Sequence, residues 1–332
     1  MIAALPESYP WHAAQWAQYA RRAQEATLPH ALLLSGPAGL GKLSFAHRFA
    51  RFLLCDAPVG SNACSCCRAC HLLSVGNHAD FLHTAPEGDS QQIRIDQIRA
   101  LSHFVSLSRD SGRYKVALIS NADTINRNAA NSLLKTLEEP PPFSVILLVT
   151  ARAASLPATL LSRCQRIEFR CPARAMALEW LVAKAPDVDA ETSLALARGA
   201  PLAALAWSRN DLLSARRAVF SDIQCLAEAR DTPVNVAERW RQYAPEMIVA
   251  WLLSWLVDVV KIRSNGTLGG LNNPDVVQSL QAVTQRLDLG ASFALYDVLI
   301  DYRRMRQVPL SPQLVLEDTL IALTGLFNAT KA

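Results

Sequence analysis

The chain has 332 residues, with apolar types at 51%, charged types at 19% and a formal net charge of +4 from 33 basic and 29 acidic side chains. This is about twice the usual domain length with ample apolar material, which means two or three folded domains and excludes a disordered or fibrous polymer. The charge excess is too small to carry nucleic-acid binding by itself, so any basic surface has to be local.

The opening MIAALPESYPWH has no basic stretch leading into an apolar run, so no secretory signal is expected, and the expected compartment is cytoplasmic. His30 to Leu34 predicts a buried strand entering a glycine turn, and Leu43 to Leu54 carries apolar residues at helical spacing. Lys115 to Ile119 predicts a second strand. A helix from Arg127 to Leu137 follows, with Ala130, Leu133, Leu134 and Leu137 on one stripe, stopped by Glu138-Glu139-Pro140-Pro141-Pro142. Ser144 to Val149 and Gln165 to Phe169 predict two more strands, and strands alternating with helices imply a mostly parallel α/β sheet.

After Cys171-Pro172 the strand signals cease. Short helices are predicted over 173–185, 190–198 and 200–208, forming a small helical domain. From about Leu212, longer amphipathic segments separated at Thr232-Pro233, Ser264-Asn265-Gly266, Asn273-Pro274 and Pro309 predict a helical bundle. The run Met247 to Val257 is far short of the roughly 20 residues that span a bilayer and is expected as a core helix.

Gly36-Pro37-Ala38-Gly39-Leu40-Gly41-Lys42 follows the first strand. Glycines at this spacing let the backbone wrap a phosphate, helix-start amides face the anion, and the lysine adds a point charge. Gly36, Gly39, Gly41 and Lys42 are therefore candidate nucleotide-binding residues, as a loop of nucleotide-site ancestry. Whether ATP is bound stays open, because the position that should offer magnesium a hydroxyl is Leu43, and Ser44 comes one residue late on another helix face. The strand Lys115 to Ile119 should end in an acidic pair but ends in Ser120-Asn121; Asp123 reads as an exposed helix cap. Two losses in one site predict little or no ATP hydrolysis by the chain alone, and magnesium is not expected there.

Cys55, Cys64, Cys67 and Cys70 carry the two-residue spacings of a metal knuckle, and four thiolates close a tetrahedral zinc site with no open position for catalysis. An iron–sulfur cluster competes, but the closing C-x3-C-P is missing. Cys66 complicates the assignment, and His71 is a possible substitute ligand. Thr150, at a strand end, is a candidate phosphate contact or a plain strand cap. Arg163 stands on a shoulder between helix and strand; it is a surface charge, a partner of a carboxylate, or a group reaching a neighbouring subunit's γ-phosphate.

The run Asn128-Ala129-Ala130-Asn131-Ser132-Leu133-Leu134-Lys135-Thr136-Leu137-Glu138-Glu139-Pro140, followed by Leu160-Leu161-Ser162-Arg163-Cys164, resembles the clamp-loader branch of the AAA+ ATPases. The four-cysteine insert falls where bacterial members of that branch place theirs. Ser120-Asn121 departs from the acidic pair of the γ/τ motor subunits, and Leu202 stands where those subunits carry a second nucleotide-sensing arginine. The resemblance is dense over 28–171, weaker to about 210, and rests on helical pattern thereafter. It implies an AAA+ domain over 1–171 with the insert at 55–70, a three-helix lid over 172–211 and a helical collar over 212–332 in a five-subunit ring. It further implies a comparatively rigid, ATPase-deficient member, a component of the DNA-directed DNA polymerase holoenzyme. Its partners would be γ/τ and δ subunits and, through the assembled ring, the β sliding clamp and primed DNA; Arg163 would complete a motor subunit's ATP site in trans. Lys135 could meet DNA phosphates or be an ordinary surface charge. Two rival readings are an autonomous ATPase of the motor type and a zinc-organised DNA-binding protein without ring partners.

Overall fold

A computed structural model describes residues 7–87, 92–110, 113–209, 212–266, 271–285, 287, 289–304 and 312–328. The chain divides into two compact units, Met1–Ala177 with Ala200–Ala203, and Leu178–Gly199 with Ala204–Ala332, so the segment 172–211 contributes to both.

The first unit runs α1 (Ala13–Gln24), β1 (Ala31–Ser35), α2 (Lys42–Leu54), α3 (Arg68–Ser74), β2 (Phe81–Thr84), α4 (Ile95–Ser106), β3 (Lys115–Ile119), α5 (Arg127–Glu138), β4 (Ser144–Thr150), α6 (Ala158–Leu161), β5 (Gln165–Glu168) and the start of α7 (Arg174–Lys184). The strands form one parallel sheet in the order β2-β3-β4-β1-β5. Successive strand side chains point to opposite faces. Leu32, Leu34, Val116, Leu118, Val145 and Leu147 accordingly pack with Trp16, Phe45 and Phe49 of α1 and α2. Leu33, Ala117, Ile119, Ile146 and Leu148 pack with Ile98, Leu101, Leu133 and Leu137 of α4 and α5. Burial on both faces is why β1, β3 and β4 read as unbroken apolar runs. Edge strand β2 is too short, with one buried side chain, for its pattern to mark it in the sequence.

Register places Ser35 beside Thr150 and Ile119 beside Leu148. The phosphate loop after β1, Ser120-Asn121 after β3 and Ala151 after β4 thus gather at one end of the sheet, the crevice where open α/β sheets hold ligands.

The second unit is helical: the rest of α7, α8 (Ala190–Leu196), the rest of α9 (Pro201–Arg209), α10 (Leu212–Ala227), α11 (Pro233–Trp240), α12 (Pro245–Asn265), α13 (Val277–Thr284), α14 (Leu289–Arg304) and α15 (Pro312–Asn328). Met247 to Val257 lies inside α12 and supplies buried Trp251, Leu252 and Trp255 to the core. Pro233 opens α11, and Gly266, at φ 64°, caps α12; Pro309 lies outside the described residues. Among the described residues no helix is long and apolar enough to cross a membrane.

Candidate functional site

The loop between β1 and α2 is held by three glycines at φ 147°, 76° and 81° (Gly36, Gly39, Gly41), conformations that L side chains rarely adopt. A Cβ on Gly36 would lie 2.1 Å from the Phe169 carbonyl oxygen, and one on Gly39 would lie 2.6 Å from the Ala203 Cβ. The carbonyls of Gly36, Pro37, Gly39 and Leu40 are taken by the protein itself. Lys42 Nζ donates to Gly36 O at 2.6 Å and Pro37 O at 2.5 Å, the Leu202 amide donates to Gly39 O at 3.0 Å, and Trp11 Nε1 donates to Leu40 O at 2.9 Å. His12 Nε2 also lies 2.7 Å from Leu40 O and, facing a carbonyl, must carry its hydrogen. Burial pushes the Lys42 ammonium down to about 8, against the opposing charges of Asp123 and Cys171. Ser44, the late hydroxyl, donates to the Glu7 carbonyl at 3.0 Å. Leu43 is exposed.

At the β3 end, the Ser120 hydroxyl sits 3.0 Å from His83 Nε2, and Asn121 takes a left-handed φ of 52°. Asp123 is not the helix cap expected from the sequence. The cap of α5 is Asn126, which accepts from the Ala129 amide at 2.8 Å. The Asp123 side chain is only 12% exposed; its carboxylate accepts from the Thr150 hydroxyl (3.1 Å), the Ala151 amide (3.2 Å) and the Arg152 guanidinium (3.2 Å). Thr150 is buried and committed to that carboxylate, while its oxygen accepts from the Arg152 amide at 3.0 Å. The capping reading fails because a carboxylate three residues short of Asn126 reaches the neighbouring strand end instead.

Arg163 follows α6 and stays partly exposed. Its Nη2 is ion-paired with Glu138 at the end of α5, and its Nη1 donates to the Thr159 carbonyl at 2.8 Å.

The sulfurs of Cys55, Cys64, Cys67 and Cys70 all lie within 4.8 Å of one another. Cys55 Sγ is 3.5 Å from Cys64 Sγ and 3.9 Å from Cys67 Sγ. Tetrahedral zinc with bonds of about 2.3 Å spaces its sulfurs about 3.8 Å apart, so the donor set fits that ion. Amides of Cys64, Cys67 and Cys70 donate to the sulfurs of Cys55, Cys64 and Cys67 at 3.2, 3.3 and 3.4 Å, a turn of backbone that favours thiolate. The Cys66 and Cys67 amides bring the Cys64 thiol down to about 6, whereas burial raises Cys55 and Cys70. Exposed Cys66 stands outside the group. α3 begins at this cluster, with the Cys67 sulfur as its cap.

Comparison with known proteins bears on the whole chain. Residues 11–173 match the family described as DNA polymerase III, delta subunit, and residues 210–325 match DNA polymerase III, delta subunit, C terminal. The chain is 34% identical to the DNA polymerase III subunit delta' of Pseudomonas aeruginosa over 327 residues, 97% of this chain and 99% of that protein. The chain belongs to the DNA polymerase III δ′ subunit family. Similarity to the δ′ protein of Escherichia coli is 31% over 271 residues, covering 81% of this chain and 80% of that one. The DNA polymerase III subunit tau of Bacillus subtilis matches at 35% over 141 residues, 42% of this chain and 24% of that protein. The match over 11–173 includes the glycine-lysine loop, the four cysteines and Arg163.

Sequence reasoning on this δ′ family chain did not find Tyr9, Trp11 and His12 beside the phosphate loop, nor Glu138 as the partner of Arg163. A Cβ on Gly41 would strike the Tyr9 ring at 2.5 Å, and Tyr9 stacks on Trp11 with centroids 5.0 Å apart. The available signal was the aromatic run Tyr9-Pro10-Trp11-His12 just ahead of α1.

Proposed function

We propose that this chain is the ATPase-deficient stator of a DNA polymerase III clamp loader. It supplies Arg163 in trans to ATP held by an adjoining motor subunit while the ring loads the β sliding clamp onto primed DNA in replication. Its partners are γ/τ and δ subunits. Residues 1–171 act as the AAA+ domain, 172–211 as a lid and 212–332 as the collar that joins the ring, and the protein works in the cytoplasm. A zinc ion held by Cys55, Cys64, Cys67 and Cys70 is structural; with four thiolates it offers no open position.

The observation that carries this reading is the condition of the chain's own pocket. Lys42 is bound to the Gly36 and Pro37 carbonyls, and β3 ends in Ser120-Asn121, neither of which supplies a carboxylate. The nearby acid, Asp123, already serves Thr150, Ala151 and Arg152. A hydrolytic site needs a metal clamp and a positioned water. A guanidinium needs neither: it acts by meeting charge that develops on another site's γ-phosphoryl oxygens. Gly36, Gly39, Gly41 and Thr150 then serve mainly to shape the loop and the strand end.

Two measurements test it. The purified chain should show no significant magnesium-dependent ATP turnover. In a reconstituted ring, Arg163→Ala should leave assembly intact and slow ATP hydrolysis at the site it completes by about 1,000-fold or more. Brisk turnover by the chain alone, or unchanged rates with the variant, would refute the reading.

A further inference from the structure

Arg163 is held through both of its Nη atoms and is still partly exposed. Nη2 is ion-paired with Glu138, and Nη1 donates to the Thr159 carbonyl at 2.8 Å and lies 3.4 Å from the Ser162 hydroxyl. Among the described residues Nε has no partner, and the side chain is 33% exposed. Glu138 is the last residue of α5. α5 is anchored through Leu133 and Leu137, both buried, and through the Thr136 hydroxyl, which donates to Ser102 of α4 at 2.9 Å.

We propose that Glu138 is a positioning residue for Arg163, fixing the guanidinium through Nη2 so that its Nε side faces outward to meet phosphate oxygens of a nucleotide on an adjacent subunit. This rests on the trans reading of Arg163 above. An arginine side chain left to wander must lose rotamer freedom each time it engages; a carboxylate on an anchored helix removes that loss beforehand. The Nε–H that remains is a charged donor and suits an oxyanion.

The test uses the reconstituted ring carrying Glu138→Gln, Arg163→Ala or both. DNA-stimulated ATP hydrolysis is resolved into kcat and KM, with assembly and melting temperature followed in parallel. The expected result is a kcat on the order of tenfold lower in Glu138→Gln. KM for ATP and the melting temperature stay unchanged, Glu138→Asp recovers part of the rate, and the double variant is no slower than Arg163→Ala alone. An unchanged or faster Glu138→Gln ring overturns the proposal, as does a double variant whose losses multiply. If Arg163→Ala itself changes nothing, the trans reading falls and takes this inference with it. If Arg163→Ala slows the ring and Glu138→Gln does not, this inference falls alone.

Discussion

The ammonium of Lys42 donates to the carbonyl of Gly36 at 2.6 Å, so the lysine that would face a phosphate closes its own loop instead. Replacing it should act on stability. Lys42→Ala removes charge-assisted bonds to two carbonyls and should cost the first unit about 2 kcal/mol in urea unfolding. ATP hydrolysis by the reconstituted ring should change less than about twofold, because in this reading the site consumes no nucleotide. Loss of ring turnover with a normally folded variant would show that the loop does chemistry.

The sulfur geometry predicts one equivalent of zinc in purified protein. Cys67→Ser should lose it and melt earlier, whereas Cys66→Ser should keep both metal and stability, since Cys66 stands outside the cluster. Removing zinc with a chelator should destabilise by about 4 kcal/mol if free zinc had exceeded its Kd 1,000-fold. Metal analysis and melting curves with and without chelator decide this.

His12 carries a pH dependence. Its ring packs edge-on to Phe45 and Phe169, and burial brings it from 6.5 down to about 4, with the Leu40 carbonyl pulling the other way. The folded value is depressed, so the neutral ring is the form that folding favours. That contribution is fully present above pH 6.5 and is lost as pH falls through about 4. It amounts to about 3 kcal/mol at most. Urea midpoints at pH 7 and near pH 4.5 should diverge less in His12→Gln than in the wild type. His47, also brought down to about 4 by burial, should keep a residual acid sensitivity in that variant. Equal divergence in both proteins would place the effect elsewhere.

Asp80 and Lys115 form a fully buried ion pair at 3.1 Å, and Asp80 also accepts from the Asp110 amide at 3.0 Å. Asp80→Asn leaves the Lys115 charge without its counter-ion and should cost about 3–5 kcal/mol. Adding Lys115→Met should restore much of the loss, and thermal unfolding of the four proteins in the cycle measures the coupling. Strict additivity would mean that the pair contributes no mutual stabilisation.

Much of the fold was legible because local spacing encodes backbone geometry. Gly36, Gly39 and Gly41 mark positions that need unusual φ, the apolar runs at β1, β3 and β4 mark strands covered on both faces, and the two-residue gaps among Cys64, Cys67 and Cys70 mark a knuckle. Short elements escaped: β2 offers too few residues for any period to register.

The amino-acid order alone thus determined the glycine-lysine loop after β1, the absence of an acidic pair after β3, the four thiol donors and the arginine after α6. Tertiary structure alone decided where the donors go. It sent Asp123 to Thr150 instead of the α5 terminus, laid Trp11 and His12 against Leu40, and tied Arg163 to Glu138. A pattern read over neighbouring residues reports which backbone shapes are allowed. Which polar partners meet across 25 or more residues is set by how the layers pack, and that information resides in the folded core.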